Sequence, residues 1–396
     1  MTATVLYLVD GLGLSGKTKA MVDLVLGLDP TRYRPVVACF DTESSALHEK
    51  LRGAGVPVEV IAVSDGLNLT APLALGKLMR RVRPEVVHCY NPRMMLYGGA
   101  AARLLGIKAT LGTLSAFACL TPDEDYRFLP QQLFSATLRN RLRNRFVTRL
   151  VGTVVAVAPS LGKQFCRYNG ADPRRLRVIG YGVDIDKFAR VSAEQIAAFR
   201  ARHRVPDGAV LVSSVGRLVE QKDYPTQLRG FAAASARVPG LVMLLAGDGP
   251  LRASLEALAA ELGITDKLRF AGHVDDVPTL LRATDLFVLA SKFEPYGVAL
   301  LEAKAAGTGI IATRVNQIPD IIADRETGWL VEPESPDDLG RALETLARDA
   351  ELRRRLGARA AEDAAACHSL RRAIDAYQDL YDDLRAPRAR SLGGAS

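Results

Sequence analysis

The chain has 396 residues, of which 48% are hydrophobic and 24% charged, with a formal net charge of +8. This length exceeds one ordinary hydrophobic core and predicts two domains of about 200 residues or fewer each. The five cysteines include no Cys-x-x-Cys pair, which argues against a disulfide framework or a zinc site. The apolar runs are too short to span a membrane, and the segment Thr4–Val9 is typical of a first strand, not of a secretory signal.

Short apolar runs alternate with helical patterns along the whole chain, as in parallel sheets with crossover helices. Predicted strands in the first half are 4–9, 35–40, 57–63, 85–89, 108–112 and 151–157, and those in the second half are 209–215, 241–246, 268–271, 286–290, 309–313 and 329–331. The pattern predicts an α/β fold with two Rossmann-like, doubly wound parallel-sheet domains. Such sheets bind ligands at the carboxyl ends of their strands, so we expect the two domains to face each other across a cleft.

The domain boundaries follow from these patterns. We predict a first domain over 1–180, a connector over 181–205 and a second domain over 206–365. Residues 366–386 carry apolar side chains at helical spacing, and we expect this last helix to pack back toward the first domain. The tail at 387–396 is rich in Arg, Gly and Ser and is expected to be disordered.

A glycine-rich loop follows the first predicted strand. Gly11, Gly13 and Gly16 satisfy G-x-G-x-x-G, with Asp41 at the distance of a ribose-binding acid, while Gly11–Thr18 also satisfies the Walker A pattern. A Walker A loop would need a magnesium-binding Asp after a second strand, and a dinucleotide site would need a hydride-transfer site, but the sequence offers neither. Two further interpretations need neither feature: glycines that let the backbone approach an anion at a helix N-terminus, and a tight structural turn.

The first half also contains a basic block. No Asp or Glu occurs between Tyr126 and Ala171, and a helix predicted at about 130–149 places large apolar residues among Arg139, Arg141, Arg143, Arg145 and Arg149. Such a helix can lie on an anionic membrane, or it can pack on the core and leave its basic side in water. Nucleic acid is disfavoured as a partner because the block has no array of aromatic residues for base stacking.

Two loops of the second half carry charges suited to a nucleotide sugar. Arg217 and Lys222 lie between a strand and a helix, where two cations could neutralise a diphosphate without a metal. Glu294 and Glu302 stand eight residues apart. With Pro295 in the first turn of a helix, one carboxylate would lie at the helix N-terminus and the other about two turns further along. A helix N-terminus between two carboxylates suits a diphosphate whose two ends carry hydroxyl groups.

From Val178 to about Pro333 the chain resembles the family 4 (group 1) glycosyltransferases of the GT-B architecture. The motifs that carry this resemblance are, in order, Gly182-Val183-Asp184, Gly216-Arg217 with Lys222, Gly247-Asp248-Gly249-Pro250, Phe270–His273 followed by Leu286–Ser291, Glu294 to Glu302, and Thr327–Pro333. The first half is similar more weakly, through the glycine loop and the segment Val86–Asn91.

The resemblance implies a retaining, metal-independent transfer from a nucleoside diphosphate sugar, with UDP expected before GDP or ADP and no other cofactor. Glu294 would hold sugar hydroxyls near the reacting carbon, and Arg217 and Lys222 would bind the diphosphate. The expected donor-binding residues are Glu302 at the ribose, the backbone at Gly297, Val298 and Ala299, the glycine loop at Gly13 and Gly16, and His273 and Val274 near the base. The pair Asp184 and Asp186 lies in the connector motif and is not expected to bind a metal.

Four residues in three motifs depart from the pattern of the family. Ser115 stands where many relatives have an active-site histidine, and a hydroxyl can bind a sugar but cannot supply a cation near neutral pH. His88, in a neighbouring strand, is the other acceptor-side candidate, although a structural role is the simpler interpretation. Tyr181 replaces a frequent Asn, and Asn316-Gln317 replaces frequent paired glycines.

The leading hypothesis is therefore an enzyme that transfers a sugar to a hydroxyl of a glycan or lipid-linked acceptor. We expect it in the cytoplasm or peripherally at the inner face of the cytoplasmic membrane. Two alternatives remain open at this point: a P-loop nucleotide hydrolase or kinase that uses Gly11–Thr18, and a non-catalytic homologue that binds sugar nucleotides or membranes.

Overall fold

The computed structural model describes residues 2–13, 15–40, 45–62, 68, 70–114, 136–169 and 171–386. These residues form two compact units. The first contains the described residues up to Gly180 together with those from Ala373 onward, and the second contains Tyr181–Arg372. The segment 181–205, which the sequence suggested as a connector, falls in the second unit. The proposed tail at 387–396 lies outside the described residues.

The first unit is built on a parallel sheet of β1 (Ala3–Val9), β2 (Tyr33–Cys39), β3 (Val58–Val60), β4 (Val86–Tyr90), β5 (Thr110–Leu114), β6 (Thr153–Ala156) and β7 (Leu176–Val178). The order across the sheet is β3-β2-β1-β4-β5-β6-β7. Strands β1 and β4 are buried throughout, as expected for strands with helices on both faces. The strand order reverses between β1 and β4, which is the position where open parallel sheets bind ligands.

The described helices of this part of the chain are α1 (Gly16–Gly27), α2 (Ala46–Gly53), α3 (Ala71–Val82), α4 (Pro92–Leu104), α5 (Ala136–Arg149) and α6 (Pro159–Asn169), with a short 3-10 turn at Pro173–Arg175. Helix α5 is the basic helix that we predicted at about 130–149. Its first six predicted residues lie outside the described range.

The second unit begins with α7 (Ile185–Ala189) and α8 (Ala193–Arg202) and contains a second parallel sheet. Its strands are β8 (Val210–Val215), β9 (Leu241–Ala246), β10 (Leu268–Gly272), β11 (Leu286–Leu289), β12 (Gly309–Thr313) and β13 (Trp329–Val331), in the order β10-β9-β8-β11-β12-β13. This order reverses between β8 and β11. The helices between and after the strands are α9 (Tyr224–Arg237), α10 (Arg252–Glu261), α11 (Val277–Ala283), α12 (Val298–Ala306), α13 (Ile318–Ile321), α14 (Pro336–Arg348) and α15 (Ala350–Cys367), with a 3-10 turn at Glu220–Lys222.

The last described helix, α16 (Leu370–Arg385), packs on the first unit. Its residues Ile374, Tyr377 and Tyr381 are buried at helical spacing. The hydroxyl oxygens of Tyr381 and Tyr7 lie 2.8 Å apart, and the Tyr33 hydroxyl donates to the carbonyl oxygen of Gln378 at 2.9 Å. The end of the chain therefore completes the core of the first unit.

The predicted fold class is confirmed, and each predicted strand has a counterpart in the structure. The sequence analysis missed β7. Its three residues are exposed or half-buried, so it lacks the apolar run that marks the buried strands. No helix in the described ranges is both long enough and apolar enough to cross a membrane.

Candidate functional site

The loops after β8 and β11 meet because these strands are neighbours at the point where the order of the second sheet reverses. The backbone N–H of Lys292 donates to the carbonyl oxygen of Gln221 at 2.9 Å. In the opposite direction, Nε2 of Gln221 donates to the carbonyl oxygen of Phe293 at 2.8 Å. These two hydrogen bonds bring Lys222 beside Glu294, although 72 residues separate them in the chain.

Glu294 is a buried carboxylate with one oxygen already bound. The residue is 6% exposed, and its Oε2 lies 2.5 Å from Nζ of Lys222 and 3.1 Å from Oγ of Ser291. No described residue donates a hydrogen bond to the other oxygen, Oε1. The sequence analysis expected Lys222 to bind the diphosphate; in the structure its side chain is only 18% exposed and forms this ion pair. The arrangement holds one carboxylate oxygen in place and leaves the other for a ligand hydroxyl.

The helix after Glu294 begins later than the sequence predicted. We expected Pro295 in the first turn, but α12 begins at Val298, because Gly297 has φ of 85°, a left-handed conformation that cannot continue a helix. Glu294 therefore lies in the preceding loop, while Glu302 is buried within α12. Within the described ranges, no side chain caps the N-terminus of α12. Its first-turn N–H groups, at Val298 and Ala299, can therefore bind an anion.

Arg217 is exposed on the loop after β8 and forms no ion pair with a described carboxylate. A glycine-rich loop after β9 supports this segment. The backbone N–H of Leu218 donates to the carbonyl oxygen of Asp248 at 2.9 Å. A side chain at Gly247 would collide with the carbonyl oxygen of Gly216, and one at Gly249 with that of Leu218, both on the loop after β8. Gly247 and Gly249 thus allow the loops after β8 and β9 to pack backbone against backbone.

His273 and Val274 follow β10. Nε2 of His273, which is exposed, lies 3.1 Å from Oδ1 of Asp275. The backbone N–H of Gly247 donates to the carbonyl oxygen of Gly272 at 2.7 Å and so joins this loop to the glycine loop after β9. His273 is therefore accessible at the same strand ends as Arg217 and Glu294.

In the first unit, a cavity of about 290 Å³ lies where the strand order reverses. It is lined by Val9, Asp10, Gly11, Gly13, Ser15, Lys17, Thr18, Met21, Tyr90 and Asn91. Helices α1, which begins at Gly16, and α4 start at this cavity. The sequence analysis gave Asn91 no role, although an Asn-Pro pair directly after a strand is a recognised helix-start signal. Asn91 has φ of 131° and caps α4 by accepting from the N–H of Met94 at 2.8 Å.

The glycine loop is arranged as a capped helix start. Oγ of Ser15 accepts from the backbone N–H of Thr18 at 3.3 Å and lies 2.8 Å from Oγ1 of Thr18. Thr18 is buried, whereas Lys17 is exposed. In a Walker A loop the threonine hydroxyl would contact a magnesium ion, but here it is bound by Ser15. This geometry favours the anion-binding or structural interpretation over the P-loop interpretation.

His88 is fully buried in β4. Its Nδ1 lies 2.8 Å from the hydroxyl of Tyr381, and its Nε2 lies 2.7 Å from Oγ1 of Thr113. Burial lowers the pKa of His88 to about 3. A neutral histidine enclosed between a strand and α16 cannot contact an acceptor, so the structural interpretation replaces the acceptor-side one. The other acceptor-side candidate, Ser115, lies outside the described residues.

The basic helix α5 has two different faces. Leu142, Arg145, Phe146 and Arg149 follow the spacing i, i+3, i+4, i+7 and are exposed, with Leu142 at 43% and Phe146 at 53%. Arg143, proposed for the membrane-binding side, is instead buried on the opposite face, where its Nε donates to Oδ1 of Asn144 at 3.3 Å. The side chains of Arg139 and Arg141 lie outside the described residues.

Two family models match most of the chain between them. Residues 195–363 match the model described as Glycosyl transferases group 1, and residues 15–187 match the model described as Glycosyltransferase Family 4. A lipopolysaccharide core biosynthesis glycosyltransferase of Rhizobium meliloti is 37% identical over a stretch covering 47% of this chain and 53% of that protein. A D-inositol 3-phosphate glycosyltransferase of Saccharomonospora viridis is 36% identical over 60% of this chain and 59% of that protein. The chain thus spans somewhat more than half the length of these curated relatives.

A solved structure shows the same fold. The Anabaena protein HepE, crystallised with UDP, superposes with a TM-score of 0.80 at 19% sequence identity, over 97% of this chain and 100% of that one.

Proposed function

The chain belongs to the group 1 glycosyltransferases of family 4 and has the GT-B fold, and we propose that it transfers a sugar from a nucleoside diphosphate sugar to a hydroxyl of a glycan or lipid-linked acceptor. The observation that carries this proposal is the buried Glu294 carboxylate, just before the N-terminus of α12. Lys222 holds one carboxylate oxygen, and no described residue donates to the other oxygen or caps that helix with its side chain.

Each part of the donor has a matching group. Oε1 of Glu294 accepts hydrogen bonds from sugar hydroxyls, and the first-turn N–H groups of α12 bind the diphosphate. Arg217, which pairs with no carboxylate among the described residues, adds a positive charge at the same strand ends. Glu302 accepts from the ribose, and the loop of His273 and Val274 lies near the base. The first-unit glycines Gly13 and Gly16 are further donor-binding candidates.

In the reaction, the bond between the anomeric carbon and the diphosphate oxygen breaks, and the electron pair leaves with the diphosphate. The acceptor oxygen forms the new bond to the anomeric carbon and loses its proton. Negative charge grows on the diphosphate as the bond breaks, so preorganised donors stabilise the transition state more than the bound substrate. We propose that Arg217 and α12 supply this stabilisation without a metal and that the anomeric configuration is retained. Activity that persists in excess chelator and a product of unchanged configuration by NMR would support both points.

UDP is the first nucleotide to test because HepE was crystallised with it. Isothermal titration with UDP, GDP and ADP, followed by transfer assays with the corresponding sugar nucleotides, tests the proposal. We expect one nucleotide to bind at least tenfold more tightly than the others. The absence of binding to any nucleoside diphosphate or sugar nucleotide would refute the proposed function.

On the acceptor side, we propose that the exposed face of α5 meets an anionic membrane surface. Basic and large apolar side chains alternate on this face, as in helices that lie at a membrane interface. The Rhizobium meliloti relative is named for lipopolysaccharide core biosynthesis, which supports a glycan acceptor carried on a lipid. This would place the protein peripherally at the inner face of the cytoplasmic membrane.

The two alternatives make different predictions. A P-loop hydrolase would show magnesium-dependent ATP or GTP turnover that Lys17→Ala abolishes, whereas a glycosyltransferase would show only a modest effect of this change. A non-catalytic homologue would bind a nucleoside diphosphate but transfer no sugar to any of a broad panel of acceptors.

A further inference from the structure

Asn316 and Gln317, which lie in the segment after β12, contact the backbone of Glu294. Oδ1 of Asn316 accepts a hydrogen bond from the backbone N–H of Glu294 at 3.0 Å. The Gln317 amide is fully buried and faces the carbonyl oxygens of Glu294 and Pro295; in the amide orientation that pairs with both acceptors, its nitrogen donates to them at 3.3 and 2.6 Å. Both polar backbone groups of Glu294 are therefore satisfied by side chains and not by secondary structure.

The rest of this loop is attached to the same strand end. Oγ1 of Thr313, the last residue of β12, donates to the carbonyl oxygen of Ser291 at 2.7 Å. The hydroxyl of Ser291 in turn donates to Oε2 of Glu294. The end of β12 thus holds the start of the loop as well as the Glu294–Pro295 peptide.

These contacts fix Glu294 at both ends. Lys222 and Ser291 bind one carboxylate oxygen, while Asn316 and Gln317 hold the backbone from which the side chain extends. Because the left-handed conformation of Gly297 prevents α12 from extending back to Glu294, that helix does not determine the position of Glu294. The residues after β12 do so instead.

We propose that Asn316 and Gln317 are positioning residues for sugar transfer, which keep Oε1 of Glu294 directed at the bound sugar. The kinetic consequence rests on the proposed function, but the restraint on the Glu294 backbone does not. A displacement of about 1 Å at a reacting centre can reduce a rate by about 100-fold. Loss of the restraint should therefore lower kcat far more than it weakens nucleotide binding, since Arg217 and α12 remain unchanged.

The backbone conformation of Asn316 allows a variant that removes its side chain without straining the backbone. Its φ is 47°, in the left-handed region that Asn tolerates and Gly adopts freely. Asn316→Gly therefore allows the same backbone conformation and removes the side chain with its acceptor oxygen, while Asn316→Asp retains an acceptor. Arg204 is exposed and has φ of 52° on a loop of the same unit, so Arg204→Gly is the matched control. Gln317→Met, a second variant, keeps the length of the side chain but leaves two buried carbonyl groups without a donor.

The experiment measures kcat, KM for the donor, affinity for the nucleoside diphosphate, melting temperature and hydrogen exchange of the Glu294 amide. For Asn316→Gly we expect kcat to fall by about 10- to 100-fold, with nucleotide affinity within about threefold of wild type. Exchange of the Glu294 amide should accelerate by about tenfold or more, since its acceptor is lost. Asn316→Asp should recover most of both effects, and Arg204→Gly should show neither. Gln317→Met should lower kcat together with the melting temperature.

Wild-type kcat combined with unchanged exchange of the Glu294 amide in Asn316→Gly would overturn the inference. A kcat loss matched by an equal loss of nucleotide affinity would also overturn it, because that result indicates general disruption of the site. If the wild-type protein transfers no sugar, the proposed function fails, while amide exchange in Asn316→Gly still decides whether the restraint exists.

Discussion

At the scale of single residues, the structure separates two cations that looked equivalent in the sequence. Arg217 is exposed and has no carboxylate partner in the described ranges, whereas Lys222 pairs with a buried glutamate. An exposed charge contributes little to folding, but removal of one partner from a buried pair leaves the other charge uncompensated. The two residues should therefore respond differently to substitution.

For Arg217→Ala we expect turnover to fall by about 100-fold or more, the scale for loss of one preorganised group that stabilises transition-state charge. The melting temperature should not change, because the side chain is exposed. Steady-state kinetics and thermal unfolding check both points, with the exposed Arg355→Ala on α15 as the control. Near-normal transfer by correctly folded Arg217→Ala protein would refute its assignment to the diphosphate.

For Lys222→Ala we expect a loss of stability as well as of turnover. Breaking a buried ion pair by removing one partner costs about 3–5 kcal/mol, because the remaining charge stays desolvated. Lys222→Ala combined with Glu294→Gln should be more stable than Lys222→Ala alone, since the second change removes the uncompensated charge. Urea unfolding of the four proteins forms a double-mutant cycle, and additive effects in this cycle would contradict a direct interaction.

At the scale of elements, burial divides α5 into a face that packs inward and a face that is exposed. The sequence analysis grouped Arg143 with the other arginines of the basic block, because a run of arginines does not show which of them faces the protein core. The structure leaves Leu142, Arg145, Phe146 and Arg149 on the exposed side. A membrane-binding test should therefore be directed at these residues.

We expect the protein to sediment with vesicles rich in anionic lipid and to dissociate as salt rises, because exposed charges are screened over about 10 Å at 0.1 M. Arg145→Gln with Arg149→Gln should weaken vesicle binding by about tenfold or more, while nucleotide affinity stays unchanged. The matched control replaces Arg354 and Arg355, which are exposed on α15, with Gln. Failure of the wild-type protein to bind such vesicles at low salt would indicate a soluble acceptor.

At the scale of the whole molecule, the pH dependence of stability reflects the buried His88, which contacts Tyr381 near the other end of the described chain. Burial holds His88 neutral in the folded state, with a pKa of about 3, against about 6.5 in the unfolded chain. Between these two values the unfolded chain binds more protons, so stability is complete above about pH 6.5 and is lost as the pH falls toward 3. His368 has a pKa of about 4, lowered mainly by burial, and contributes in the same direction.

His88→Gln should lower stability at pH 7 but reduce its pH dependence. From pH 7 to pH 5 the wild type should lose about 2 kcal/mol more unfolding free energy than His88→Gln, because the variant has no histidine at this site to be protonated on unfolding. Tyr381→Phe removes a hydrogen-bond partner and keeps the histidine, so its pH dependence should match that of wild type. Urea unfolding at the two pH values checks this, and equal pH dependence in wild type and His88→Gln would contradict a neutral buried His88.

The sequence determined the parts of this protein that depend on local pattern. Periodicity of apolar residues predicted the fold class and the buried strands, because a buried strand consists of a run of apolar residues that the sequence shows directly. Motif spacing identified Arg217, Lys222, Glu294 and Glu302 as candidate site residues, since the loops that follow parallel strands, and the helices that begin there, lie at one edge of the sheet.

The tertiary structure decided which of these groups meet and which are buried. Lys222 and Glu294 pair across 72 residues because β8 and β11 are neighbours in the sheet, and strand order is not a local property. The same reason explains why Asn316 and Gln317 looked like departures from a motif and not like supports for Glu294. Burial of Arg143 and His88 likewise depends on what packs against α5 and β4. A residue's type gives its possible chemistry, but its partners and its exposure depend on segments far away in the chain.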